Sequence, residues 1–272
     1  MNRTLATGLV LTLLVPTAVA QFTLAEKFGV SDGDYFGRTT AFLGDLDGDG
    51  FLEWASSAPS AAAAGLGGAG RVRIYSGRTG AEIRTHEGTQ PNMNLGVGIV
   101  DHGDINGDGV SDYAISAPGF FGPVAGSGRV MVYSGVDGSV LRLFGGTEPS
   151  MSLGSVLDAG GDLNGDGLRD LLVAEPGSSN QAYGGGRVRV LSGANGGVLF
   201  SVSGTAFLEG RGRSAAIVQD VDGDGLDDVV ASAPFASSSD VKIYSGRTGV
   251  VIRSIAPQPL LDYRLGLSVD SM

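Results

Sequence analysis

Gly44-Asp-Leu-Asp-Gly-Asp-Gly50 returns as Gly103-Asp-Ile-Asn-Gly-Asp-Gly109, as Gly161-Asp-Leu-Asn-Gly-Asp-Gly167 and as Gln219-Asp-Val-Asp-Gly-Asp-Gly225. The leading residues Asp45, Asp104, Asp162 and Asp220 stand 59, 58 and 58 residues apart. An Ala-Pro or Glu-Pro pair keeps the same step at Pro59, Pro118, Pro176 and Pro234. A Ser-Gly turn follows Tyr75, Tyr133, Leu191 and Tyr244, at spacings of 58, 58 and 53. Three landmarks in step define a repeat of fixed period. The shorter last interval places a trimmed loop before Val241.

Each unit reads as four short strands. In the first, Thr39 to Leu46 leads into the Asp-rich loop and Glu53 to Ala58 leaves it. Arg71-Val-Arg-Ile-Tyr75 alternates polar and apolar residues, as a half-buried strand does. Ser76 to Gly80 is a tight turn, and Ala81 to His86 is the fourth strand. No connection is long enough for a crossover helix, so the sheets are expected to be antiparallel. Four antiparallel strands per unit give an all-β fold, a β-propeller of four-stranded blades that bury their faces against one another. A β-sandwich would not give so regular a period.

These elements resemble the FG-GAP repeat of the integrin α-chain propeller. The Phe-Gly element reads Phe36-Gly37, then Leu95-Gly96, Leu153-Gly154, Gly210-Arg211 and Leu265-Gly266. The Gly-Ala-Pro element reads Ser57-Ala58-Pro59, Ser116-Ala117-Pro118, Ala174-Glu175-Pro176 and Ser232-Ala233-Pro234. The resemblance spans residues 21–272 and implies calcium in the loop between the first two strands of each blade. It names no ligand, because the family hosts adhesion, carbohydrate binding and some enzymes.

The loops themselves, 45–53, 104–112, 162–170 and 220–228, carry the donors such a site needs. Positions 1, 3 and 5 are Asp45, Asp47 and Asp49; Asp104, Asn106 and Asp108; Asp162, Asn164 and Asp166; Asp220, Asp222 and Asp224. Position 9 is Glu53, Asp112, Asp170 or Asp228, an acid every time. Crowded hard oxygens suit Ca2+, which takes about 6–8 of them. Position 12 is Ser56, Ile115, Val173 or Ala231, so these are not EF-hand loops, whose acid falls there. By the resemblance, position 7 lends a backbone carbonyl: Phe51, Val110, Leu168 and Leu226. Up to four Ca2+ are expected, held more weakly in the two loops with Asn. The plainer alternative is a set of solvated Asx turns, for which Asp and Gly are suited anyway. That alternative does not require an acid at position 9 in all four loops.

Composition narrows the partners. The 272 residues hold 47 Gly, 29 acidic and 18 basic residues, and no Cys, for a formal charge of −11. The acidic balance speaks against nucleic acid as a partner. Without Cys there are no disulfides, thiolate sites or cysteine nucleophiles. Asn2-Arg3, the apolar run Leu5 to Val15 and Ala18-Val19-Ala20 read as a secretory signal over residues 1–20, cleaved after Ala20. No later stretch is apolar enough to span a membrane. Leu265 to Met272 reads as the first strand of a fifth blade, so an incomplete ring and a longer parent protein are expected.

No nucleophile or acid–base constellation stands out. His86 and His102 are the only His residues, no Gly-x-Ser-x-Gly elbow occurs, and the Gly65–Gly70 stretch lacks a phosphate-loop Lys. Trp54 reads as a blade-packing residue rather than a sugar platform. The reading is a secreted or cell-surface calcium-binding module for adhesion or binding, without enzymatic activity. Its partner would be an extracellular protein or a glycan. The alternative is a carbohydrate-active enzyme of the polysaccharide-lyase kind on the same scaffold.

Overall fold

The fold comes from a computed structural model, which describes residues 31, 33–235, 240–256, 265–266 and 268–269. The signal segment, the trimmed loop at 236–239 and most of the fifth-blade strand lie outside the described residues. Sixteen strands form four sheets of four, and no helix occurs among the described residues.

Blade 1 holds β1 (Thr40–Phe42), β2 (Trp54–Ala58), β3 (Arg71–Tyr75) and β4 (Glu82–Glu87). Blade 2 holds β5 (Ile99–Gly103), β6 (Asp112–Ala117), β7 (Arg129–Tyr133) and β8 (Val140–Gly145). Blade 3 holds β9 (Val156–Asp158), β10 (Leu171–Glu175), β11 (Arg187–Leu191) and β12 (Val198–Ser203). Blade 4 holds β13 (Ala215–Val218), β14 (Asp228–Ala233), β15 (Asp240–Tyr244) and β16 (Val251–Ile255). Every neighbour pair is antiparallel and strand order follows the chain. The register between the third and fourth strands slips once in every blade, before Tyr75, Tyr133, Leu191 and Tyr244, and blade 2 has a second slip between Asp101 and Gly103. The bulge shared by all four blades twists the outer strand just before the tight turn.

The second strands β6, β10 and β14 are buried along their whole length, as apolar runs such as Leu171-Leu-Val-Ala174 require. Their faces pack on adjacent blades, not within one sheet. One core joins Val72, Ile74 and Leu95 to Tyr113 and Ile115; the next joins Val130, Val132 and Met151 to Leu171 and Val173. A third joins Val188 and Val190 to Ile217 and Val229. The first strands line up in order, β1 beside β5, β5 beside β9, β9 beside β13, and the ring is not closed.

Side chains also latch blade to blade. Arg84 on β4 donates to the carbonyls of Gly135 and Val136 in the turn of blade 2, each at 3.1 Å. Arg142 on β8 does the same to Gly193 and Ala194 of blade 3. In blade 3 the corresponding Phe200 packs on Gly249 instead.

One expected element is corrected. In blade 4 the Phe-Gly element is Arg211-Gly212, not Gly210-Arg211. Gly212 donates to the carbonyl of Ser232 at 2.9 Å, as Gly96 does to Ser116 at 2.8 Å. Arg211 pairs with Gly186 as Leu95 pairs with Gly70 and Leu153 with Gly128. A core Leu position therefore holds an Arg, which hid the alignment. Its charge is met by Glu209 and by Asp240 Oδ1 at 2.7 Å. Glu209 in turn occupies the place of Met93 and Met151. Its Oε2 accepts from the backbone of Thr205 at 2.8 Å, where the Met151 sulfur accepts from Thr147 at 3.2 Å.

Candidate metal centre

Each Asp loop is wound around its first carboxylate. Asp104 Oδ1 accepts the N–H of Gly107 at 2.7 Å and of Asp108 at 3.1 Å, and its Oδ2 accepts that of Gly109 at 2.8 Å. Asp45, Asp162 and Asp220 make the same set. The glycines at positions 4 and 6, such as Gly48 and Gly50, have φ of 78° and 87°, where an L side chain is strained. These bonds to the ionised form hold the carboxyls of Asp104 and Asp220 below the usual Asp range, led by Gly109 and Gly225.

The third residue accepts from the fifth: Asp49, Asp108, Asp166 and Asp224 each donate N–H to Asp47, Asn106, Asn164 and Asp222. The seventh residues, Phe51, Val110, Leu168 and Leu226, donate N–H to the carboxylate at position 5. The loop thus turns the oxygens of positions 1, 3 and 5 to one side.

The ninth residue sits apart in character. Glu53, Asp112, Asp170 and Asp228 are 0% exposed. Asp170 Oδ2 accepts from Leu163 at 2.8 Å and its Oδ1 from Gly193 at 2.9 Å. Asp112 bridges Ile105 and Gly135, Asp228 bridges Val221 and Gly246, and Glu53 bridges Leu46 and Gly77. The acid therefore ties the loop to the tight turn between the third and fourth strands. Burial raises the pKa of Glu53, Asp112 and Asp170, with neighbouring loop carboxylates adding to it.

The donor set fits a hard divalent cation. In loop 1, Asp45, Asp47, Asp49 and Glu53 each bring an oxygen within 4.8 Å of the others. In loop 4, Asp220, Asp222 and Asp224 do so, without Asp228. A Glu at position 9 reaches one methylene further than an Asp, and only loop 1 has one. Loops 2 and 3, with Asn106 and Asn164, form no such all-acid group among the described residues. Neighbouring loops abut: the backbone N–H of Asp162 donates to Asp227 of the next loop at 3.3 Å, and Asp101 pairs with Arg169. The four candidate sites form a row along one face.

Two features escaped the sequence. Arg247 of the blade 4 turn binds Asp224 Oδ2 through Nε at 2.8 Å and the Asp224 carbonyl at 3.1 Å. Its counterpart Arg78 lies over the Phe51 ring instead, 5.7 Å from its centroid. The repeated Ser-Gly-Arg-Thr-Gly turn was the available signal. The second feature is the packing around His86. Its Nε2 lies 2.8 Å from Tyr113 Oη, its ring 4.1 Å from that of Tyr133, and Arg84 donates to the same Tyr113 oxygen at 3.0 Å. These groups come from β4, β6 and β7, which no local spacing connects. Burial, then Arg84, lowers the His86 pKa to about 4, and burial pushes Tyr133 up to about 12. They form the seam of two blades. Trp54 stacks on Tyr75 at 4.4 Å, within its blade.

Antiparallel blades in sequence order, each opened by a nine-residue acidic loop, define a β-propeller repeat array. Residues 162–253 match the FG-GAP-like repeat model, and the same elements recur in the two units before them, so the chain is an FG-GAP, integrin α-like propeller array. It is 30% identical to integrin alpha-V of Gallus gallus over 223 residues, 74% of this chain and 20% of that protein. It is 34% identical to phosphatidylinositol-glycan-specific phospholipase D of Rattus norvegicus over 160 residues, 51% of this chain and 18% of that protein. The chain thus spans a fifth or less of these relatives. A rhamnogalacturonan lyase structure from Bacillus licheniformis aligns with 82% of this chain and 51% of its own, at 17% identity and a TM-score of 0.45. No helix among the described residues is long and apolar enough to cross a membrane.

Proposed function

We propose that the chain is a calcium-stabilised binding or adhesion module working outside the cell or at its surface, with no catalytic role of its own. The observation that carries the calcium reading is the four-carboxylate cluster of Asp45, Asp47, Asp49 and Glu53 on a loop wound around the Asp45 carboxylate by three backbone N–H donors. Bound Ca2+ would supply positive charge that draws the loop's carboxylates together. Asp45, Asp47, Asp49, the Phe51 carbonyl and Glu53 would hold it in loop 1. Asp104, Asn106, Asp108, the Val110 carbonyl and Asp112 would do so in loop 2. Loops 3 and 4 would use Asp162, Asn164, Asp166, Leu168 and Asp170, and Asp220, Asp222, Asp224, Leu226 and Asp228. An extracellular setting, with millimolar calcium, loads sites of only about 10⁻⁴ M affinity. The likeness to integrin alpha-V supports an adhesion role and a partner outside the cell.

The experiment is calcium calorimetry and thermal melting on chelator-treated protein, followed by assays for turnover on uronate polysaccharides and phosphodiesters. Calcium binding without turnover supports the module. Saturable turnover would favour an enzyme, the alternative that the likeness to the phospholipase D keeps in view.

A further inference from the structure

Position 8 of each Asp loop leans on the loop before it. It precedes the buried acid at position 9, and neighbouring residues entering a strand point to opposite sides. The acid closes its own loop, while the side chain before it crosses the blade joint. Ser111, Arg169 and Asp227 hold this place in blades 2, 3 and 4. Each lies against the glycine that opens the preceding loop. A Cβ on Gly44 would fall 2.3 Å from Ser111 Cβ, one on Gly103 3.5 Å from Arg169 Cδ, and one on Gly161 2.3 Å from Asp227 Oδ2. A bare backbone at these three places leaves room for the crossing side chain.

The three crossings differ in charge. Ser111 is neutral and donates its hydroxyl to Asp101 Oδ1 at 2.5 Å. Arg169 brings a guanidinium to the start of loop 2, where it pairs with Asp101 Oδ2 at 2.5 Å. Asp227, half-buried, brings a carboxylate to the start of loop 3. Its Oδ2 accepts the backbone N–H of Asp162 at 3.3 Å, and it has no basic partner among the described residues. The Asp162 carboxylate is turned the other way, onto the N–H groups of Gly165 and Gly167. Asp227 thus stands behind the oxygens of loop 3, placed to act on them by its charge.

We propose that Asp227 of blade 4 sets the cation affinity of the loop in blade 3, so that the two Asn loops are unequal and loop 3 holds a divalent cation more tightly than loop 2. With Asp227, loop 3 has four carboxylates, the others being Asp162, Asp166 and Asp170, as many as loops 1 and 4 carry in their own sequence. Loop 2 has the same Asn at position 3 but only Asp104, Asp108 and Asp112, and it faces the Arg169–Asp101 pair, whose charges cancel. A carboxylate attracts a divalent ion at a distance as well as in contact, more so where water is partly excluded. The same charge repels the other loop carboxylates when no cation is present. The proposal rests on the calcium reading and adds to it a residue that no single loop contains. If Asp227 served only to accept the Asp162 N–H, an Asn would do as well, and that difference separates charge from structure.

The test titrates Ca2+ into the whole chelator-treated chain and follows the amides of Gly107 and Gly109 in loop 2 and of Gly165 and Gly167 in loop 3 by NMR, with calorimetry alongside. The expected result is a smaller Kd in loop 3 than in loop 2. Asp227→Asn keeps an oxygen for the Asp162 N–H and removes the charge, so it should weaken loop 3 by a factor of about two to five. Asp227→Glu should restore the affinity. The loss in Asp227→Asn should fade at about 1 M salt, where the screening length is about 3 Å. In chelator, Asp227→Asn should melt at or above the native temperature, because a like charge has left the loop. Arg169→Gln frees Asp101 of its partner and should tighten loop 2, an arm that stands even if Asp227→Asn does not fold. Equal affinities in loops 2 and 3, a loop 3 unmoved by Asp227→Asn, or a loss that persists in high salt would overturn the proposal. So would an Asp227→Asn chain destabilised alike in chelator and in calcium, since the residue would then serve the fold alone. These outcomes leave the calcium reading standing, whereas an absence of calcium binding in every loop would refute that reading and the proposal together.

Discussion

Asp170 and Gly193 are 23 residues apart, yet Asp170 Oδ1 accepts the Gly193 N–H at 2.9 Å while Oδ2 accepts that of Leu163 at 2.8 Å. One buried carboxylate thus closes the metal loop against the turn that follows the third strand. Gly193 can come this close because it has no side chain: a Cβ there would collide with the carbonyl oxygen of Arg169. The ninth acid of each loop is a clamp of the fold as well as a candidate ligand.

The two roles separate by mutation. Asp170→Ala leaves two buried N–H groups unsatisfied, each costing about 1–3 kcal/mol. It should lower stability by about 2–6 kcal/mol in urea titrations even with chelator present. Asp166→Ala, in the outer part of the same loop, should change little in chelator and destabilise only when calcium is supplied. Equal effects of both variants in chelator would refute the division.

The buried Arg211 gives a second prediction. Arg211→Leu restores the residue of blades 1 and 2 but strands Glu209 and Asp240, and breaking a buried pair costs about 3–5 kcal/mol. Glu209→Met, Arg211→Leu and Asp240→Arg together rebuild the arrangement around Met151, Leu153 and Arg129. That triple variant should match or exceed the native stability in denaturant titration. A triple variant as unstable as the single one would show that the site cannot take the packing of its siblings.

Arg247 orders the candidate sites. Its guanidinium pairs with Asp224, so a cation in loop 4 must compete with it, while Arg78 makes no such pair. Exposed pairs are worth about 0.2–1 kcal/mol, which converts to a factor of up to about five in affinity. Arg247→Gln should tighten calcium binding in loop 4 by that factor and leave loop 1 unchanged, as read by site-resolved NMR titration. An unchanged or weakened loop 4 would contradict it.

Two buried imidazoles, His86 in the blade 1–blade 2 seam and His102 on β5, set an acid limit. His86 has a pKa lowered to about 4 by burial and then by Arg84, and His102 one lowered to about 4 by burial and then by Arg142. An unfolded His titrates near 6.5, so the unfolded chain binds more protons between about pH 6.5 and 4. Stability is therefore full above that window and falls as pH drops through it, by at most about 1.4 kcal/mol per pH unit for each ring. His86→Gln should flatten part of that slope in denaturant titrations from pH 7 to 4.5. An identical slope would place the acid sensitivity elsewhere.

Much of this was legible in the sequence because the repeat states it four times. The Asp loops, the proline landmarks and the period-2 strands are local signals, and Arg71–Tyr75 falls where those signals put it, whereas the first strand is Thr40–Phe42 and shorter than the Thr39 to Leu46 read from the sequence. The seam of His86, Tyr113, Tyr133 and Arg84 was not legible, because it joins three strands of two blades. Arg211 was misplaced by one residue because an Arg in a Leu position looks like a break in the motif until Glu209 and Asp240 are seen beside it. The clamp role of Asp170 needed the 23-residue closure to Gly193, which ligand spacing does not contain.

Calcium as the staple of a chain without Cys is the central claim, and calorimetry on chelator-treated protein tests it most directly. A ligand that binds only the folded state adds about 2.7 kcal/mol per site at a hundred times Kd, so filled sites would rival the roughly 5–15 kcal/mol of an ordinary domain. The account predicts saturable heats with loop 1 filling first, and a melting temperature that rises by well over ten degrees on adding calcium. No heat of binding, with melting curves that superimpose in calcium and in chelator, would show that the four loops are only turns.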